Sequence, residues 1–86
     1  RQYIAIVEGH LASDEGTWQS HLLQLESFDV VSTKDKEAGK LAITHYKVYR
    51  RSANYTFLNI KLETGRKHQI RVHCKDAGCP ILGDKR

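Results

Sequence analysis

Long hydrophobic runs are missing from this sequence. No apolar stretch approaches the roughly 20 residues that a membrane-spanning helix needs, so no membrane partner is expected. Linker-like and low-complexity segments are missing too, and no internal repeat is visible. Proline occurs once, at Pro80, and cysteine only twice, at Cys74 and Cys79. Two cysteines make no disulfide framework. The opening Arg1-Gln2 runs straight into alternating residues without a signal-peptide pattern. The two thiols are therefore expected to be reduced, in a cytoplasmic protein.

What is present fits one small domain. A chain of 86 residues buries only about 60% of its unfolded surface, so its core is thin. The formal charge of +4 hides an asymmetry. Residues 1–33 hold one base and five acids, a net −4, whereas residues 34–86 hold thirteen bases and five acids, a net +8. A basic half of this kind suits a polyanion, nucleic acid first. Charge alone equally allows a solvated surface that binds nothing.

The pattern predicts mostly strands. Residues 2–8 read as a strand ended by Gly9, apolar on both faces and so expected to be buried. Asp14-Glu15-Gly16 reads as a turn. Residues 18–25 and 28–32 are apolar enough for short strands, and Lys34-Asp35-Lys36-Glu37 is a polar loop. Residues 41–50 and 54–63 form a predicted hairpin about Arg51-Ser52-Ala53-Asn54. In its second arm Thr56, Leu58, Ile60 and Leu62 alternate with Tyr55, Phe57, Asn59 and Lys61, giving one apolar and one mixed face.

From Lys67 to Ala77 the period becomes helical. Ile70, Cys74 and Ala77 share one face, and Lys67, Arg71 and Lys75 recur at every fourth position on another. Thr64 or Gly65 could cap the start, while Gly78 and then Pro80 stop the helix. The expected fold class is α+β, a mostly antiparallel sheet with one short basic helix. At the strand–turn–helix junction the helix start and Arg66, Lys67 and Arg71 could hold a phosphate or a carboxylate. Exposed bases that bind nothing are the plainer alternative. His68, His73, Cys74 and Cys79 are zinc-type donors, but there is no CxxC pair, and neighbouring His73 and Cys74 point about 100° apart on a helix. No metal site is predicted.

The run Thr64-Gly65-Arg66-Lys67-His68-Gln69-Ile70-Arg71-Val72-His73, followed by Gly78-Cys79-Pro80-Ile81-Leu82-Gly83-Asp84, resembles the signature of the RluA-type pseudouridine synthases, the family that contains RluA, RluC and RluD. Two earlier pieces match in order. Gln2 to Gly9 resembles that family's tyrosine-bearing strand, and Gly39 to Val48 its Gly-Lys-x-Ala-x-Thr-x-Tyr strand. The resemblance spans nearly the whole chain and is weakest over residues 10–38.

The resemblance implies an isomerase that converts uridine to pseudouridine in ribosomal or transfer RNA. In that family an aspartate attacks or assists cleavage at the ribose, and the freed uracil turns and rejoins through carbon, without a cofactor. By the same resemblance Tyr3 lies against the flipped base and can take up a proton, which an aromatic face with a polar tip suits. Arg71 pairs with the catalytic aspartate, whose ionised form a guanidinium favours. Ile70 packs near the base. Arg66, Lys67 and Lys75 are expected to touch phosphates, with Lys40 a weaker candidate and solvated charge the alternative for each, while His68 and Gln69 are expected to shape the junction by hydrogen bonds. Thr64 and Gly65 serve the turn, and Trp18 and Phe57 are packing residues.

The sequence departs from the family in one respect. The aspartate belongs to a His-Arg-Leu-Asp type motif ahead of the tyrosine strand, and no such motif occurs. Asp14, Asp29, Asp35, Asp76 and Asp84 all stand in other contexts, Asp84 in what resembles a structural loop. Residues 1–86 are thus expected to be part of a catalytic domain that is inactive by itself. The alternative is a non-catalytic RNA-binding module; no protein partner is predicted.

Overall fold

The computed structural model describes residues 2–83. Arg1 and Asp84, both named above, lie outside them. Five strands, β1 (Gln2–Glu8), β2 (Glu15–Gln24), β3 (Val30–Thr33), β4 (Lys40–Arg51) and β5 (Tyr55–Leu62), precede one helix, α1 (Gln69–Asp76). The strands form a single sheet in the order β1-β5-β4-β2-β3 with every pair antiparallel. This is the α+β class expected.

Alternation sorts the strands onto two faces. Tyr3, Ala5 and Val7 stand opposite Ile60, Leu58 and Thr56; on the other side of β5, Ile60 and Leu58 lie beside Tyr46 and Val48, and Leu62 beside Thr44. This face carries the core. Val7, Leu11, Leu58, Ile60, Cys74 and Cys79 form its larger buried cluster, with Trp18, Tyr46 and Ile70 packed against them. Leu22, Val30, Ala42 and Val72 form a smaller one under the helix. Trp18 stacks on Tyr46 with ring centroids 4.4 Å apart, so it packs as expected. Phe57 lies on the opposite face, against Tyr49 and the Arg50 guanidinium. A register shift between Val48 and Arg50 brings Arg50 level with Phe57.

Several boundaries differ from the sequence reading. The first strand is not buried: Val7 is inaccessible, but Tyr3 is 40% and Ile4 69% exposed. β1 ends the strand order and its outer face is open, so apolar composition there does not report burial. Glu15 and Gly16 already belong to β2, because they pair with Lys47 and Tyr46. Phe28 belongs to a turn, and β3 begins only at Val30.

The helix starts two residues later than predicted. His68 is its N-cap, in left-handed geometry and without a side-chain cap, so neither Thr64 nor Gly65 caps it. Lys67 lies outside the helix, and only Arg71 and Lys75 share its basic face. At the other end Gly78 has φ 82°, and its N–H bonds the carbonyl of Lys75, the glycine stop expected. The chain then returns along β1, where Glu8 N–H donates to Pro80 and Leu82 N–H to Ile6, both at 2.8 Å.

Candidate active site

The turn between β5 and α1 is organised by one buried side chain. Gln69 is 2% exposed. Its Oε1 accepts from the Thr64 hydroxyl at 2.8 Å and from the Arg66 N–H at 3.0 Å. Its Nε2 donates to the Ile43 carbonyl at 3.0 Å and to Thr44 Oγ1 at 2.9 Å. Thr64 Oγ1 also accepts from Ile43 N–H at 2.9 Å. All the hydrogen-bonding capacity of the amide is used, and it ties the turn, the helix start and β4 together. The expectation that Gln69 shapes the junction by hydrogen bonding is met; Thr64 serves the same clamp.

A polar chain continues from there beneath the helix. Thr44 Oγ1 lies 2.7 Å from His73 Nδ1, and His73 Nε2 lies 2.9 Å from Ser20 Oγ. Ser20 Oγ is 3.1 Å from Ser32 Oγ, which donates to the Asp76 carboxylate. Each hydroxyl has one proton, so the direction follows from the two ends. Ser32 gives its proton to Asp76, Ser20 gives to Ser32, and His73 Nε2–H gives to Ser20. From the other end Thr44 accepts from Gln69, which leaves its own proton available to His73 Nδ1. The serine end places a proton on Nε2, and a neutral ring leaves Nδ1 to accept from Thr44. Burial lowers the pKa of His73, against an opposing pull from Asp76, which agrees with that neutral state.

Local sequence reasoning missed this chain beyond Gln69. The available signal was polarity at the wrong parity: Thr44 falls among the inward positions of β4, between Ala42 and Tyr46. Cys74 and Cys79 are buried thiols. Burial, with Cys79 nearby, pushes Cys74 up to about 12, and burial also raises Cys79, so neither is an activated nucleophile. Among the described residues no group of three or more His, Cys, Asp or Glu could hold a metal ion.

The clamp sets out three surfaces. A pocket of about 260 Å³ is lined by Tyr3, Leu62, Gly65, Arg66, His68, Gln69, Ile70 and Arg71. The tyrosine of β1 thereby meets Ile70 and Arg71 from the first turn of the helix, although they are nearly seventy residues apart in the chain. A second pocket, of about 270 Å³, has Lys40, Arg66 and Lys67 on its wall and no carboxylate. Arg66 is fixed between the two by Nε donating to the Leu41 carbonyl at 2.8 Å. A larger groove, of about 740 Å³, runs between α1 and the β2–β3 turn and includes Arg71 and Lys75. Tyr3, Ile70, Arg71 and Arg66 thus converge, whereas Lys67 and Lys75 lie on opposite flanks.

Residues 1–76 match the RNA pseudouridylate synthase family. The chain belongs to that family. It is 40% identical over 84 residues to the uncharacterized RNA pseudouridine synthase YlyB of Bacillus subtilis, covering 98% of this chain and 27% of that protein. It is 43% identical over 88 residues to ribosomal large subunit pseudouridine synthase D of Pseudomonas aeruginosa, covering 98% and 26%. Among solved structures, human RNA pseudouridylate synthase domain containing 1 superposes with a TM-score of 0.86 at 25% identity, over 96% of this chain and 38% of that one. The chain therefore spans about a quarter of these curated relatives, and its sheet and helix are those of a pseudouridylate synthase domain.

Proposed function

We propose that the Tyr3–Ile70–Arg71 pocket is part of the uridine site of an RNA pseudouridine synthase, and that the whole enzyme isomerises uridine to pseudouridine in ribosomal or transfer RNA in the cytoplasm. The observation that carries this reading is the convergence of Tyr3, Ile70 and Arg71, distant in sequence, on one pocket in a chain of this family. Tyr3 offers a face for the extruded base and a phenol that can take up a proton; Ile70 offers an apolar wall. Arg71 can hold an ionised carboxylate by two parallel hydrogen bonds. The nucleophilic aspartate of the family motif has no counterpart in these 86 residues, so turnover belongs to the full-length enzyme and none is expected from residues 1–86 alone. No cofactor is called for, because the chemistry is an internal transfer of the glycosidic bond.

Lys40, Arg66 and Lys67, on a wall without a carboxylate, supply phosphate contacts on one side, and Lys75 supplies one on the other. Such contacts help offset the unstacking of the target base. The test is an assay of the full-length protein for pseudouridine on ribosomal and transfer RNA. Formation of pseudouridine that requires Arg71 supports the reading. RNA binding without any product would instead make the protein a binding module.

A further inference from the structure

The turn between β2 and β3 holds Phe28 in left-handed geometry, φ 72°, with the residue 72% exposed. Both features run against a plain structural role. Glycine or asparagine adopts this backbone with less strain than a bulky residue, and the exposed ring contributes little to the core. The conformation is nonetheless well held. Phe28 N–H donates to the Leu25 carbonyl at 2.8 Å and Leu25 N–H to the Asp29 carbonyl at 2.7 Å. An aromatic ring kept at such a position points to a role outside the fold.

Its surroundings indicate which role. Phe28, Leu25 and Val31 form the hairpin side of the large groove, and Arg71 and Lys75 form the helix side. Leu25 and Val31 are also exposed, at 41% and 37%. Arg71 lines both this groove and the Tyr3–Ile70 pocket, so the two adjoin at one side chain. A strand of RNA with its uridine in the pocket would lay a neighbouring nucleotide in the groove. We infer that Phe28 is a stacking platform for a nucleotide flanking the target uridine, with the backbone of that nucleotide beside Lys75. Asp29 and Asp76 also line the groove and offset its two bases. Its contribution is therefore stacking, which tolerates any base, and it adds little to the salt dependence of binding. The inference rests on the proposed RNA-modifying function.

The test uses the full-length protein and the shortest ribosomal or transfer RNA hairpin that it converts. Phe28→Asn, which keeps the left-handed turn, is expected to weaken RNA binding about ten-fold. Phe28→Trp is expected to retain affinity. The salt slope of Phe28→Asn matches that of the parent, and its melting temperature is unchanged or higher. In the parent, an abasic residue at one position flanking the uridine reproduces the loss, and it adds no further loss in Phe28→Asn. Parent-like affinity in Phe28→Asn overturns the inference. So does a melting temperature several degrees lower in both variants, which would show the ring packed against another part of the chain. If the parent converts no RNA at all, the functional reading fails and the inference with it; a parent that works equally well without Phe28 sinks the inference alone.

Discussion

Gln69 Nε2 donates to Thr44 Oγ1 at 2.9 Å, and through that bond the first residue of the helix is locked to the centre of the sheet. Thr44 is inaccessible to solvent and is itself hydrogen-bonded to His73 Nδ1 at 2.7 Å. The same amide holds the turn that precedes Arg71. The position of the arginine is thus set by a neighbour two residues away whose four bonds are all internal.

Replacing Gln69 by leucine keeps roughly the same volume but leaves the Arg66 N–H and the Thr64 hydroxyl proton without an acceptor, while the Ile43 carbonyl keeps the Glu63 N–H and Thr44 keeps His73. Each buried group left unsatisfied costs about 1–3 kcal/mol, and partial relaxation reduces the sum. Gln69→Leu should destabilise the domain by about 2–4 kcal/mol, read from urea denaturation. Gln69→Glu should be at least as damaging, since it sets a carboxylate oxygen against the Ile43 carbonyl in a dry site. Stability within about 0.5 kcal/mol of the parent for both variants would show that the clamp is dispensable.

The neutral His73 makes stability depend on pH in a definite direction. Burial lowers its pKa in the fold below the ordinary value of 6.5, so the unfolded chain binds the proton more readily. Stability is complete above 6.5 and is lost as pH falls from there through the lowered folded value. Protonation would also place a second N–H against the Thr44 hydroxyl, whose proton already points at Nδ1. Denaturation from pH 7.5 down to pH 5 should show this decline, and His73→Asn should flatten the part due to this group. An unchanged slope in the variant would remove His73 as its source.

Gly39 opens the Gly-Lys strand motif for a steric reason. A Cβ there would lie 2.7 Å from Thr33 Cγ2 and 2.9 Å from His21 Cβ, closer than carbon atoms approach. The Thr33 methyl ends its side chain, but His21 Cβ and the His21 backbone carbon at 3.1 Å are fixed to the main chain, so β2 or the turn must move. Gly39→Ala should cost about 1–3 kcal/mol and weaken the pairing of His21 with Thr33. Amide exchange of the β2–β3 ladder measures this locally, and protection equal to the parent would contradict it.

The residues themselves show what a sequence can and cannot reveal here. The alternation of Thr56, Leu58 and Ile60 with their neighbours reports a half-buried strand, and it forms one. The helix period over Ile70, Cys74 and Ala77 reports the face that meets the core. Both signals are local. Residues 2–8 mislead because apolar composition is the same for a buried strand and for one at the end of the strand order with an open face. The helix start misleads because His68 enters by backbone conformation rather than by a side-chain cap. The convergence of Tyr3 with Arg71 was legible only through the family resemblance, since no local pattern joins residues so far apart. The chain from Thr44 through His73 and Ser20 to Asp76 depends on strand register, which composition does not specify.

The basic wall of Lys40, Arg66 and Lys67 should show itself in salt dependence. Each phosphate neutralised on a single strand contributes about 0.7 to the slope of log affinity against log salt. Lys40→Gln and Lys67→Gln in the full-length protein should each lower that slope by up to about this amount and weaken binding to all RNA sequences alike. Titrations between low and moderate salt provide the measurement. Slopes equal to the parent in both variants would remove these lysines from the interface.

Arg71 and Tyr3 are expected to fail in different ways. An arginine that holds the catalytic carboxylate acts on the reacting centre, so Arg71→Ala should lower turnover by on the order of 100-fold or more. RNA affinity should fall far less. Arg71→Lys should recover little, because an ammonium cannot reproduce the bidentate fork. Tyr3→Phe keeps the ring but loses the phenol. If the base only stacks on Tyr3, this variant turns over normally; if the phenol takes up a proton, it binds RNA as the parent does and turns over at least 100-fold more slowly, the lower end of the usual contribution of general acid–base catalysis at about 10²–10⁴. Single-turnover kinetics at saturating enzyme separate the two. Arg71→Ala provides the sharper test of the site, since full activity without Arg71 would place the carboxylate's partner elsewhere.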